Sequence, residues 1–224
     1  MSATGPETLL LGSEADEVAE LAAALGAELT LVPDPLADAV TPPGVDWGWA
    51  APLDRWRDDV SSGAAVGRAV VAPWALDLGE PEELAETGLD GWMVRAEVQF
   101  ARWFAAMGAA ARRCADGGAV VAVVERPAPL DCAGWAPATC VAEAVAAMTR
   151  SLARAEGGRG VRVNAVTTPV RSTRPPVVDP APALPAFPGS IGREVAGAVE
   201  LLLRGEASGV TGTVVHADCG RSWA

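Results

Sequence analysis

The chain has no tyrosine, and all 17 of its basic residues are arginine, so it has no lysine either. Chemistry that relies on a phenol or an amine side chain is therefore excluded for this polypeptide on its own. It also has little histidine: His216 is the only one. Four cysteines, Cys114, Cys132, Cys140 and Cys219, form no C-x-x-C pair. Without ligand pairs at metal spacing no metal site is expected, and the four thiols read as reduced and mostly buried. No apolar run approaches the roughly 18 residues of a membrane span. The start, Met1-Ser-Ala-Thr4, lacks a basic-then-apolar leader pattern, so a soluble cytoplasmic protein with no membrane contact is expected.

What the chain has is apolar and acidic. Half of its 224 residues are hydrophobic, and its formal charge is -12. One domain over 1–224 with a full core follows from that length and composition. The charge excludes nucleic acid as a partner, since phosphate backbones call for a basic face.

Short apolar runs alternate with helical patterns. Strands are expected at Thr8–Leu11, Glu28–Val32, Arg68–Val71, Ala119–Val124, Val161–Val166 and Thr213–Ala217. Helices are expected from a cap at Ser13 to Gly26, near Leu53–Val60, over Gly91–Cys114 and Pro137–Ala155, and over Ile191–Leu203. Pro81–Ala85 reads as a helical turn. Residues 33–67 are the least regular part, and 167–190 form a proline-rich loop. Strand–helix alternation predicts an α/β fold: a single-domain, doubly wound parallel sheet of the Rossmann type, with helices on both faces.

Three stretches carry a resemblance. Gly160-Val-Arg-Val-Asn-Ala-Val166 follows the helix containing Met148-Thr-Arg-Ser-Leu-Ala153. Val210-Thr-Gly-Thr-Val-Val-His-Ala-Asp-Cys-Gly220 closes the chain, and Asp90-Gly-Trp92 opens the middle helix that leads to Val98-Gln99. In order and spacing these resemble a short-chain dehydrogenase/reductase of the acyl-carrier-protein-reductase-like kind, over roughly residues 90–220.

The resemblance implies a glycine-rich turn for a dinucleotide pyrophosphate and an Asn, Ser, Tyr and Lys for hydride-transfer catalysis. In register the first glycine is Gly12, but the later ones fall at Asp16 and Val18. Glu14 and Glu17 add carboxylates to the same turn. An Asn-Asn-Ala-Gly-type turn is replaced by Val71-Ala-Pro-Trp-Ala75, and Pro33-Asp34 stands where an acidic ribose ligand often lies. The Asn position is Gln99 and the Ser position is Glu125. Thirteen residues beyond Glu125, the Tyr position is Ala138, and one turn later the Lys position is Ala142. Both alanines share one helix face.

The expectation is therefore a catalytically inactive, degenerate relative with no cofactor, its NAD(P) binding lost. It would act as a structural or regulatory subunit beside an active paralogue. The alternative is a non-redox cyclase, dehydratase or isomerase in the remodelled pocket, with Glu125 as acid or base. Glu125 can equally be a salt-bridge partner of Arg126 or another arginine. Gln99 reads either as a ligand-facing amide or as one satisfying helix backbone. The space over Ala138 and Ala142 is either a cavity or is filled by Trp74 or Trp135. Aromatics on the 91–114 helix, with alanines on the 136–155 helix, suggest an interface between subunits, homo- or hetero-oligomeric.

Overall fold

The computed structural model describes residues 8–36, 47–174 and 179–223. Part of the irregular 33–67 stretch, and residues 175–178 of the proline-rich loop, lie outside the described residues.

Six parallel strands form one sheet in the order β2-β1-β3-β4-β5-β6. They are β1 (Thr8–Gly12), β2 (Glu28–Leu31), β3 (Val66–Ala72), β4 (Cys114–Glu125), β5 (Arg162–Thr168) and β6 (Val214–His216). All six expected strands are present. β1, the Ala119–Glu125 part of β4 and Val163–Thr168 of β5 are buried, the first two mainly valine, alanine and leucine, as strands covered on both faces must be. The main helices are α1 (Asp16–Leu25), α2 (Ala51–Ser61), α3 (Leu89–Trp92), α4 (Val98–Arg113), α5 (Ala136–Glu156) and α6 (Ala196–Leu203). Helices α1 and α6 pack together on one face, while α2, α4 and α5 cover the other.

Several boundaries differ from the sequence reading. Ser13 does not cap α1; the cap position is Ala15, in extended conformation, and no side chain bonds to the helix end. The long helix expected over 91–114 is three segments, because a π turn at Met93–Glu97 separates α3 from α4. It also ends earlier: Cys114 is already extended and opens β4, so the glycine pair 117–118 lies within the strand rather than before it. Residues 84–86 make a turn and no helix. Gly26 ends α1 in the left-handed region, φ 57°, as a glycine can without strain.

The thiols are less uniform than expected. Cys114 and Cys219 are buried, Cys132 is half-buried and Cys140 is exposed on α5. Among the described residues, no helix is long and apolar enough to cross a membrane.

The sheet order places β1 between β2 and β3. In an open sheet of this kind, ligands lie outside the carboxyl ends of the strands where the winding reverses. Gly12, Leu31, Ala72, Glu125 and Thr168 are the terminal residues there.

Candidate functional site

A cleft of about 90 Å³ opens beside the carboxyl ends of β3 and β4. Its walls include Trp74, Gln99, Trp103, Glu125, Ala138 and Val141. Three of the four residues read from spacing, Gln99, Glu125 and Ala138, therefore share one cavity. The fourth, Ala142, does not line it and is buried. Trp74 forms part of the wall and is held in place by its Nε1, which donates to the Val123 carbonyl at 2.6 Å. Trp135 is also buried but does not line the cleft. The space beside Ala138 is thus narrowed by Trp74 and not closed.

Glu125 ends β4 and is 9% exposed. Burial pushes its carboxyl up to about 8, against an ordinary value of 4.5; Arg171 opposes the rise and Glu17 adds to it. At neutral pH the group is mainly a neutral acid able to donate a proton. Its Oε1 accepts no hydrogen bond.

The cation beside Glu125 is Arg171, not the adjacent Arg126, which pairs with Glu143 at 2.8 Å. Arg171 Nε lies 3.4 Å from Glu125 Oε1 and 3.5 Å from Glu17 Oε1. Its Nη1 and Nη2 donate to the Ala75 and Leu76 carbonyls, each at 2.9 Å. The guanidinium also lies 5.9 Å from the Trp74 ring centre, in cation–π range. One side chain from the segment after β5 thus joins α1, the residues after β3, and the end of β4. Sequence reasoning missed it: the only signal is an arginine just beyond a strand end, and its partners are 46 and 154 residues away.

Gln99 does not serve helix backbone. Its Oε1 accepts from Arg102 Nη1 at 3.1 Å. Arg102, also missed, is 2% exposed and donates to the carbonyls of Trp74 at 3.2 Å and Val32 at 3.4 Å.

No protein-family model and no curated protein matches the chain. Solved structures do. A short-chain dehydrogenase/reductase from Serratia marcescens is 23% identical, with 96% of this chain and 97% of that chain covered and a TM-score of 0.66. BdcA in complex with NADPH is 22% identical, covering 97% and 95%, with a TM-score of 0.64. An enoyl-(acyl-carrier-protein) reductase from Anaplasma phagocytophilum, in complex with NAD, is 21% identical, covering 98% and 93%, with a TM-score of 0.66. The chain has the fold of the short-chain dehydrogenases/reductases, with the parallel Rossmann-like sheet expected from its sequence.

One expectation is corrected by this comparison. The sequence reading has no cofactor, with NAD(P) binding lost, yet two chains of this fold, matched over nearly their whole length, hold NADPH and NAD. The first turn is also less hostile to phosphate than its composition suggests. Glu14 and Asp16 stand in solvent, and Glu17 is paired with Arg171. Val18 turns into the core, and its Cγ1 lies 2.5 Å from where a Cβ on Gly12 would sit. Ser13 Oγ is buried without a hydrogen-bond partner, and of the first amides of α1 those of Asp16 and Glu17 have no intrahelical acceptor, while Val18 donates to the Ala15 carbonyl at 2.9 Å. An orphaned hydroxyl and free amides at a helix N-terminus are groups that fit an anion.

Proposed function

We propose that this chain uses the dehydrogenase scaffold for acid–base chemistry centred on Glu125. The observation that carries this reading is a nine-tenths-buried carboxyl lining the cleft with a pKa of about 8, near the optimum for proton transfer at neutral pH. A nicotinamide dinucleotide held by Ser13 and the α1 amides would supply a hydride. This chain, with neither tyrosine nor lysine, has no phenol to exchange the matching proton. Glu125 is the buried carboxyl of the cleft that can do so; Asp77, the other carboxyl in its wall, is exposed. Trp74, Trp103 and Val141 give the substrate an apolar seat, and Gln99 offers an amide beside it.

The part of this chemistry that needs no hydride, and that Glu125 can carry alone, is proton exchange or isomerisation at carbon next to a small carbonyl. The test is deuterium incorporation from solvent into a panel of small apolar ketones and thioesters, with Glu125→Gln as the control. Exchange that persists unchanged in Glu125→Gln would remove Glu125 from the mechanism.

A second reading has its own support. Phe104 is 56% exposed, and Phe100, one helical turn before it on α4, is 38% exposed beside an α5 face bearing Cys140 and Ala144. Exposed apolar area of this kind suits a contact with another chain. In that reading the protein is a structural or regulatory subunit that associates through α4 and α5 with an active chain of the same fold. Co-expression with neighbouring dehydrogenase-fold chains, followed by native mass spectrometry, tests it; a monomer under all pairings would end it.

A further inference from the structure

Most of the polar side chains in the cleft wall have already spent their hydrogen bonds. Trp74 Nε1 donates to the Val123 carbonyl at 2.6 Å. Arg95 donates to Glu82 Oε2 at 3.2 Å and to the Leu78 and Glu80 carbonyls at 3.4 and 3.1 Å. Asp77 is exposed, and its Oδ1 accepts the Gly79 amide at 2.8 Å. Two groups of the wall keep unused capacity. Glu125 Oε1 is buried and has no hydrogen-bond partner. Gln99 spends its Oε1 on Arg102 and leaves its Nε2 without a partner among the described residues. That nitrogen is not sealed in the interior, and its side chain belongs to the cleft wall.

The orientation of the Gln99 amide follows from what it touches. A guanidinium has N–H donors and no acceptor, so the atom of Gln99 that faces Arg102 must be the oxygen. Arg102 itself is fixed. It is 2% exposed, and its Nη1 and Nη2 also donate to the Trp74 and Val32 carbonyls, at 3.2 and 3.4 Å, just beyond β3 and β2. Buried surroundings of low dielectric strengthen its bond to Gln99. A glutamine with both ends free serves donors and acceptors alike. This one has only its N–H donors left to offer. The one cation of the cleft wall, Arg95, is paired with Glu82, so the wall holds no unpaired positive charge for an anion.

We infer that Arg102 is a positioning residue: it holds the Gln99 amide with Nε2 toward the cleft, so that Gln99 selects an uncharged ligand placing an acceptor oxygen there over one placing an N–H donor there. Arg102 does not touch the ligand and acts only through Gln99. The inference rests on the cleft being the site of the acid–base chemistry proposed above, and it adds which part of the substrate lies at Gln99. That part is the carbonyl oxygen, with the apolar remainder against Trp74, Trp103 and Val141.

The test compares cyclopentanone, which has only an acceptor, with pyrrole, which has only an N–H donor, by ligand-observed NMR on the full chain. The parent is expected to prefer cyclopentanone by about tenfold, the effect of one hydrogen bond made against one left unmade. Gln99→Leu should remove most of that preference. Arg102→Met frees the amide to turn, so cyclopentanone should bind more weakly and pyrrole more tightly, whereas a purely structural role would weaken both alike. Arg102→Lys, again a donor with no acceptor, should restore the preference. If Arg102→Met does not fold, Arg102→Gln, whose amide donates or accepts, should relax the ratio in the same way. Equal affinities in the parent, or no cyclopentanone binding at millimolar concentration, overturns the inference. So does a ratio unchanged in Gln99→Leu, or parallel weakening in the Arg102 variants. Deuterium exchange into cyclopentanone separates this inference from the acid–base reading. Exchange unchanged in Glu125→Gln, with a ratio that collapses in Gln99→Leu, ends that reading and supports this inference. Exchange lost in Glu125→Gln, with a ratio that Gln99→Leu leaves alone, does the reverse.

Discussion

Arg171 Nε lies between two carboxylates, 3.4 Å from Glu125 and 3.5 Å from Glu17. Both separations exceed the roughly 2.7–2.9 Å of a strong charge-assisted hydrogen bond. The guanidinium spends its short bonds on the Ala75 and Leu76 carbonyls instead. Arg171 therefore fixes strand ends firmly and ionises Glu125 only weakly. This is why burial wins and the Glu125 carboxyl stays near 8.

That balance predicts a pH dependence of stability. Glu125 titrates near 8 when folded, against an ordinary 4.5. Between those values the folded chain keeps a proton that the unfolded chain has released. Stability from this group is complete below about 4.5 and is lost as pH rises through 8, at up to roughly 1.4 kcal/mol per pH unit. Glu125→Gln should abolish that slope and unfold at higher urea than the parent at pH 8.5, while differing little at pH 5. Urea midpoints across the pH range measure it. Parallel curves for the two proteins would show that Glu125 is ionised at neutral pH.

Arg171→Met separates the two roles of the arginine. It leaves two carbonyls without their donors and should destabilise the fold by about 2–4 kcal/mol. With the cation gone, the Glu125 carboxyl should rise further, which carbonyl infrared difference spectra would detect as a later deprotonation. In a Glu125→Gln background the infrared signal disappears, while most of the stability loss remains, because the carbonyl bonds do not involve Glu125. A loss that vanished in that background would instead make the ion pair the dominant contribution.

Much of the scaffold was legible because strands buried on both faces must be runs of small or branched apolar residues. Ala119–Val124 and Val161–Val166 show this directly. The address of Glu125 was legible as well, from its interval to the helix bearing Ala138. What surrounds it was not. Arg171 reaches Glu125 across 46 positions through a loop conformation with no periodic signature. Ser13 looks like a cap in sequence, but the chain turns so that Ala15 takes that place and the hydroxyl is buried. Gln99 stays open between ligand and helix backbone in the sequence, which does not show that Arg102, one helical turn on, points inward and bonds to it. The reading of lost cofactor binding failed for a similar reason. It rests on the glycines missing at Asp16 and Val18, on the replaced turn at Val71–Ala75 and on the carboxylates of the first turn, and the sequence does not show that two of these carboxylates face solvent and the third is paired.

The exposed aromatic face of α4 predicts association. Phe104 is 56% exposed and lies 5.9 Å from the Arg57 guanidinium. Phe104→Glu adds a charge to that face without disturbing the core. It should convert any dimer or mixed oligomer to monomer in sedimentation velocity, with a melting temperature lowered only by the lost association. An oligomer that survives the substitution uses another surface.

The carboxyl-terminal segment is held by a second ion pair, of a different kind from the first. Arg221 is fully buried, and its Nε and Nη2 donate to Asp131 Oδ2 and Oδ1 at 2.8 and 2.7 Å. Its Nη1 donates to the Pro180 carbonyl in the proline-rich loop, and its guanidinium lies 6.0 Å from the Phe187 ring centre. The bidentate geometry is the strong form of arginine–carboxylate pairing, unlike the long contacts of Arg171. Removing one partner leaves a buried charge, so Asp131→Asn should cost about 3–5 kcal/mol. Arg221→Met should cost a comparable amount, because the Pro180 carbonyl and Asp131 lose their donor together. Combining the two should cost clearly less than the sum, since no uncompensated charge remains. Denaturant unfolding of the four proteins measures the coupling, and strict additivity would mean that Asp131 and Arg221 contribute independently. The same variants should open the loop at Pro180 to limited proteolysis while leaving the Glu125 titration in place, because the two ion pairs share no residue.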